Sequence, residues 1–259
     1  LVPGNEITRA VQTGQANIGE RLMSAHQNEN PLYGVDSIPF LVSSFDEHEK
    51  LWEIAGPAVA EVMAEDNLHY LYSVPWPPQG LYFRDPVNSV ADMAGVKFRS
   101  YSTATARLAE LTGMLPVQIE AAEISQAFAT GVADSMISSG ATGYDRKVWE
   151  HLNHFYIVDA WLPRNAVFVN MQAWEGLDDA TKAVMNDCAA AAKAEGLARS
   201  KDYTDFTLNG LREGGMTVEA ASDTLVSELQ AIGATMTEEW LAGAGDAGKA
   251  IVDAYKAGN

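Results

Sequence analysis

Hydrophobic and polar residues along this chain alternate between two periods, short stretches with period two and longer ones with a helical repeat. Residues 5–14 (NEITRAVQTG) read as a helix closed by Gly14, because glycine just past the last turn is a common stop. Residues 16–23 read as a short strand, and 31–44 as loop and helix pieces carrying an apolar stripe. Residues 46–65 are helical, with Asp46 as the N-cap and Glu49 three positions on completing a capping box. Strands follow at 68–76, ended by Pro75, Pro77 and Pro78, and at 80–85. A short helix at 89–95 precedes a strand at 96–101 (VKFRSY), then a Gly-closed helix at 103–113. A strand at 115–120, a helix at 123–131 stopped by Gly131 and a strand at 132–139 repeat the theme. Residues 147–155 read as helical, 165–170 as a strand, and 178–213 as one long helix broken by Gly214 and Gly215. Residues 216–221 are extended and 223–255 mostly helical. Alternation without a tandem repeat predicts an α/β fold with a mainly parallel sheet, and ligands in such folds sit beyond the carboxyl ends of strands.

Composition narrows the picture. The chain has 259 residues, 47% of them hydrophobic, enough for one large core or two smaller ones. With 20% charged residues and apolar ones spread throughout, disorder is excluded. No apolar run is long enough to span a membrane, so membrane insertion is not expected. The net charge of −18, from 35 acidic and 17 basic residues, repels nucleic acid and anionic lipid. It also repels an anionic ligand, so an anion site has to concentrate positive charge locally. Otherwise the acidity reads as a solvated surface. The lone cysteine, Cys188, lies in a helical context and is expected to be a small buried side chain. The opening LVPGNEITRAVQTGQANIG looks like the interior of a domain, so either a mature protein starts here or upstream sequence is missing.

Few residues suggest chemistry. His26, His48, His69, His151 and His154 are scattered. His151 and His154 share a predicted helix, but no third ligand is identifiable, so the histidines read as surface groups and no metal is expected. HExxH, GxSxG and GxxxxGK[ST] are all absent, and no glycosidase-like carboxylate pair stands out. Arg99 is more informative. An arginine in an apolar strand needs a partner for its fork of donors, either a structural salt bridge or a ligand carboxylate. In VPWPPQGLY (74–82), prolines stiffen the backbone around Trp76, as a structural plug or as an indole presented to a ligand. DSMISSGATGYD (134–145) runs a strand into a Gly/Ser turn, a plausible contact point for a small ligand.

These segments together resemble the solute-binding proteins of TRAP transporters, the DctP-like family. The resemblance runs over nearly the whole chain and is most specific in DPVNSVADMAGVKFRSYSTATARLAELTGMLPVQIEAAEISQAFATGVADSMISS. That stretch follows the family order of a short helix, a strand with one arginine, a helix, and a strand ending at the cleft. The resemblance implies a two-lobed periplasmic-binding-protein fold with a long hinge-spanning helix over 178–213. Lobe I would comprise 1–76 plus 164–203, and lobe II 77–163 plus 204–259. The family's ligand-clamping arginine falls on Arg99. Further family pocket positions fall on Glu20, Leu22, Ser138 and Asn165, and Trp76, Gln79, Ser139 and Trp161 are candidate ligand contacts beside them. Family members usually have a strand, a helix and another strand before this point, so ordered residues upstream and an exposed sheet edge are expected.

Relative to the sialic-acid-binding branch, Leu22, Ala121 and Ser138 replace an acidic residue, a Phe and an Asn, and Trp76 to Gln79 stand near that branch's second arginine. A polyhydroxy ligand would leave hydroxyls unpaired there, at about 1–3 kcal/mol each. An apolar monocarboxylate lying against Trp76 and Trp161 is therefore expected, an aryl 2-oxo or 2-hydroxy acid such as benzoylformate or mandelate. The implied role is capture, lobe closure and delivery to the TRAP membrane subunits, by a periplasmic monomer without cofactor or catalysis. A sensor presenting the ligand to a receptor kinase would use the same closure. An enzyme on this architecture would need a reactive group in the cleft, and Cys188 is expected to lie away from it.

Overall fold

The computed structural model describes residues 2–258; Leu1 and Asn259 lie outside them. The chain opens with α1 (Ile7–Gln12), β1 (Ile18–Leu22), a 3-10 segment (Pro31–Ser37), α2 (Phe45–Glu65) and β2 (Leu68–Pro75). It crosses to β3 (Gln79–Phe83), then β4 (Lys97–Ser100), α3 (Thr103–Leu111), β5 (Leu115–Gln118), α4 (Ile124–Ala129), β6 (Ser135–Ser139), α5 (Gly140–Asp145) and β7 (His154–Ile157). It returns through β8 (Arg164–Asn170) and α6 (Met171–Glu175), and ends with α7 (Asp179–Glu213), β9 (Thr217–Ala220) and α8 (Asp223–Ala257).

Two sheets result, one in each lobe. The first has three strands in the order β1-β8-β2, and the second has six in the order β5-β4-β6-β3-β7-β9. The expected mainly parallel arrangement is corrected. Both pairings of the small sheet are antiparallel. In the large sheet β4 runs parallel to β5 and β6, and β7 to β9, but β3 is antiparallel to both its neighbours. The reason is the crossing. β3 starts at the hinge and runs away from it, whereas β4 and β6 run toward the cleft. Their carboxyl ends therefore carry Arg99 and the Ser138–Ser139 pair to the cleft edge.

The lobes have separate cores. Leu51, Trp52, Val59, Leu68 and Phe168 pack on the small sheet. The large sheet is covered on both faces: Leu81, Phe98, Ile137 and Tyr156 on one side, Tyr82, Met136 and Phe155 on the other. This alternation along β3, β6 and β7 is the pleat read out directly. α7 packs on β2 in the first lobe and on α5 and β9 in the second. α8 also reaches both lobes. Leu225 to Met236 enter the second lobe's core, and Trp240 to Tyr255 enter the first lobe's, although the sequence reading gave all of 204–259 to the second.

Several local expectations are revised. Ser44, not Asp46, caps α2, its hydroxyl accepting the Glu47 N–H at 3.3 Å while the Glu47 carboxylate accepts the Ser43 N–H at 2.9 Å. Ser44 offers a cap two residues earlier, and Asp46, already inside the first turn, pairs with Lys201 instead. Only one 3-10 turn forms at Val148–Glu150, because His154–Ile157 pair with β3 and β9; sheet pairing overrides helical pattern there. His151 and His154 thus share no helix. The histidines are not surface groups either: His48 is 1% exposed and accepts from Arg164, and the other four are half-buried. Cys188 is exposed, because its neighbour Ala189 holds the buried face of α7 and Cys188 is rotated off it.

β3 needs a bare backbone at Gly80. A Cβ there would sit 2.6 Å from the Tyr156 carbonyl oxygen and 2.3 Å from Phe155 Cζ. Gly80→Ala is expected to destabilise the protein by about 1–3 kcal/mol through overpacking. Urea unfolding should show a lower midpoint, and an unchanged one would mean that Phe155 yields without strain.

Candidate ligand-binding site

Arg99 stands at the end of β4, one residue before the strand gives way to the Ser102 cap of α3. It is 4% exposed. Nε donates to the Ile119 carbonyl at 2.9 Å, and the guanidinium lies 5.1 Å from the centre of the Tyr101 ring. Its two terminal nitrogens donate to no described residue. Burial lowers its pKa to about 10, opposed by Tyr101 and Glu120, so it remains cationic at neutral pH.

Arg164 shows how a purely structural arginine in this fold is handled. It is fully buried, donates to Ser73 at 3.0 Å, His48 at 3.4 Å and Glu49, and lies over Trp52. Its backbone N–H donates to Asp36 at 2.7 Å, and burial raises the Asp36 pKa to about 7. That network fixes the start of β8 and hence Asn165. Arg99 has no comparable set of partners.

The free end of Arg99 faces a cavity of about 190 Å³ between the lobes. The first lobe contributes Ile7, Glu20, Arg21, Leu22 and Asn165. The second contributes Gln79, Tyr101, Glu120, Ala121, Ser138, Ser139 and Thr142, and the connecting segments add Trp76 and Pro163. The site positions read from the sequence therefore meet around one cavity, with one exception. Trp161 is fully buried and does not reach it. Its indole N–H donates to the Tyr101 hydroxyl at 3.0 Å, Tyr101 donates to Gln79 Oε1 at 3.1 Å, and Gln79 Nε2 donates to the Pro77 carbonyl at 3.0 Å. Trp161 thus holds Tyr101, and Tyr101 backs Arg99. Tyr101 was missed in the sequence, although its position two residues beyond Arg99 on an extended chain puts it on the same side.

The opposite wall is a second hydrogen-bonded chain. Trp76 Nε1 donates to Asn165 Oδ1 at 2.8 Å, and Asn165 Nδ2 donates to Glu20 Oε1 at 2.8 Å. Ser139 accepts from the Thr142 N–H as the cap of α5, whereas the Ser138 hydroxyl has no partner among the described residues. A larger groove of about 790 Å³ lies on the far side of Trp76, Asn165 and Glu20. It is mainly apolar and its arginine, Arg199, is paired with Glu195. Of the two, and among the described residues, the smaller cavity is the one that offers a buried cation with free donors.

Across the rim, Arg21 on β1 pairs in bidentate fashion with Glu120 beyond β5, both contacts at 3.0 Å. The pair ties the first lobe to the second beside the cavity. Among the described residues no cluster of His, Cys, Asp and Glu is placed to hold a metal, and no helix is long and apolar enough to cross a membrane.

Residues 1–242 match the model of the bacterial extracellular solute-binding protein family 7, DctP. The chain belongs to this family. Its structure superimposes on a TRAP solute-binding protein from a marine metagenome (an unidentified microbe), specific for pyroglutamate and solved with co-purified pyroglutamate. The TM-score is 0.98 at 54% identity, covering 99% of this chain and 84% of that one. Two Bordetella pertussis extracytoplasmic solute receptors that bind pyroglutamic acid, DctP6 and DctP7, match with TM-score 0.97 at 42% and 40% identity, each over 99% of this chain and 85% of its own. The ectoine-binding protein of the TeaABC TRAP transporter of Halomonas elongata, at 18% identity and TM-score 0.91 over 99% of this chain and 85% of its own, shares the fold. The chain is thus a two-lobed solute-binding protein of the TRAP type.

The Arg21–Glu120 pair is partly exposed, at 16% and 33%, so its contribution is about 1 kcal/mol. Glu120→Gln is expected to speed ligand release about threefold to tenfold with little change in association, since such effects fall mainly on dissociation. Stopped-flow tryptophan fluorescence reads both rates, and an unaltered release rate would deny the pair any part in holding the lobes together.

Proposed function

We propose that this protein captures pyroglutamate, the cyclic lactam of glutamate, in the periplasm and delivers it to the membrane subunits of a TRAP transporter. The observation that carries the reading is the buried guanidinium of Arg99 with free donors, facing a cavity sized for one small ring bearing one carboxylate. Arg99 binds the carboxylate as a fork. Trp76 and Leu22 bracket the ring, while Ser138, Thr142 and Gln79 surround its polar edge. The lobes close over the ligand about the crossings at 75–79 and 157–164 and the long helix α7. No bond is made or broken.

Three relatives at 40–54% identity that bind pyroglutamate support this ligand over the aryl acids expected from the sequence. The geometry gives a physical reason. The aryl reading rested on Trp76, with Trp161 as a second indole against the ligand, and Trp161 is sealed behind Tyr101. Trp76 is left as the one indole at the wall, with its N–H engaged by Asn165. The cavity around it is polar on two sides, which suits a lactam better than a phenyl ring.

Calorimetry on protein freed of ligand by unfolding and refolding tests this. Pyroglutamate is expected to bind more tightly than benzoylformate, mandelate, sialic acid or a C4-dicarboxylate; tighter binding of any of these would overturn the assignment. Arg99→Ala is expected to lose about 2–5 kcal/mol of binding, roughly thirtyfold or more in Kd. Affinity near that of the unaltered protein would place the carboxylate elsewhere.

A further inference from the structure

We infer that Glu20 is the specificity-determining residue for a ring N–H on the ligand, so that the cleft selects lactam carboxylates over isosteric lactones. The inference rests on the ligand reading above and deepens it. Its basis is the direction of the hydrogen bonds in the Trp76–Asn165–Glu20 wall. An indole N–H only donates, so Trp76 fixes Asn165 with Oδ1 toward the indole. Asn165 Nδ2 then has to face Glu20, and it does, at 2.8 Å from Oε1. Neither assignment can be reversed without setting two donors against each other.

Glu20 Oε1 is thereby occupied, and Oε2 accepts from no described residue. Among the described residues, no other side chain of the first-lobe wall offers an acceptor without a partner, Asn165 Oδ1 already accepting from Trp76. Ile7 and Leu22 are apolar, and Arg21 is a donor already paired with Glu120. The second-lobe side is different in kind: the Ser138 hydroxyl is a free donor there, and Arg99 supplies the cation. The cavity thus has a donor-rich side and one anionic acceptor opposite it. A lactam satisfies both, with its carboxylate and carbonyl on the donor side and its N–H on Glu20. A lactone of the same shape and charge presents a ring oxygen to Glu20, acceptor against acceptor. Glu20 is exposed, since it also lines the outer groove, so its charge stays hydrated on one side.

The test compares pyroglutamate with freshly dissolved 5-oxotetrahydrofuran-2-carboxylate, its lactone counterpart, by calorimetry on the full chain. The unaltered protein is expected to favour the lactam about tenfold to a hundredfold, the range for one hydrogen bond to a charged group. Glu20→Gln gives a sharper outcome. Asn165 Nδ2 still demands an acceptor, so the new amide has to turn its oxygen to Asn165 and its NH2 to the cavity. That places a donor against the lactam N–H and a donor against the lactone oxygen, so the preference is expected to invert. Glu20→Ala, with neither group, is expected to bring the two ligands to similar affinity. The exposed position makes loss of folding no obstacle, and a melting curve of each variant checks it. If pyroglutamate binds the unaltered protein and both variants keep its lactam preference, Glu20 does not read the N–H and the ligand assignment stands. If pyroglutamate does not bind the unaltered protein at all, the ligand assignment and this inference fall together.

Discussion

A guanidinium withdrawn from water has to be matched by an anion, and Arg99 forms no ion pair with any described residue, Glu120 acting on it only at a distance. Removing one member of a buried pair costs about 3–5 kcal/mol because the remaining charge is uncompensated. A closed, empty cleft carries a penalty of the same kind. A carboxylate relieves it, so ligand binding and closure favour each other, and the shift cannot exceed the difference in the ligand's affinity for the two states. The rest of the site follows from this constraint. Tyr101 lies beside the cation, Trp161 and Gln79 hold Tyr101 in place, and Ile119 takes the one donor that cannot point into the cleft. The chain's net charge of −18 does not contradict an anion site, since exposed charges are screened within about 10 Å while an enclosed one is not.

The fold makes closure possible by splitting the site between two sheets. β4 and β6 end at the cleft from one side, and β1 and β8 form the wall on the other. Each sheet rests on its own core, so the lobes can move as bodies, linked by α8, which enters both cores, and by Leu22 and Phe40, which pack against the second lobe's core. The crossings that join them carry Trp76 and Pro163, so the hinge and the binding wall share residues. Arg164 anchors the start of β8 through Asp36, Ser73, His48 and Glu49. Asn165, next along the strand, inherits that rigidity in its backbone, and Trp76 sets the orientation of its amide.

Much of this was legible in the sequence where a local rule decides. Gly14, Gly113 and Gly131 stop their helices with φ near +70°, a conformation glycine adopts without strain. The strand carrying Arg99 and the long helix lie where the patterns place them. Partners distant in sequence were not legible. Arg99 and Arg164 both sit in apolar strands, and only the fold shows that one has Glu49, Ser73 and His48 around it while the other faces open space. Strand direction was misjudged because periodicity carries no sense of orientation, and a chain that crosses twice between lobes enters each sheet from the hinge. Trp161 looked like a ligand contact for the same reason: an indole flanked by apolar residues does not reveal which side faces the cleft.

Selectivity in such a pocket comes as much from what it repels as from what it holds. With the terminal nitrogens of Arg21 and a terminal nitrogen of Arg164 paired to glutamates, and only Nε of Arg21 left without a partner, Arg99 is the cation whose terminal fork is free at the cavity. A second carboxylate on the ligand would therefore meet no second fork. It would instead approach Glu20 on the first-lobe wall or Glu120 at the rim, both lining the same small space. Like charges brought together there disfavour binding, so under the proposed ligand reading open-chain dicarboxylates meet repulsion as well as a poor fit. Cyclisation of glutamate to its lactam removes the side-chain carboxylate and leaves one anion, one carbonyl and one N–H. In the proposed reading, those are the three groups that Arg99, the second-lobe hydroxyls and Glu20 receive.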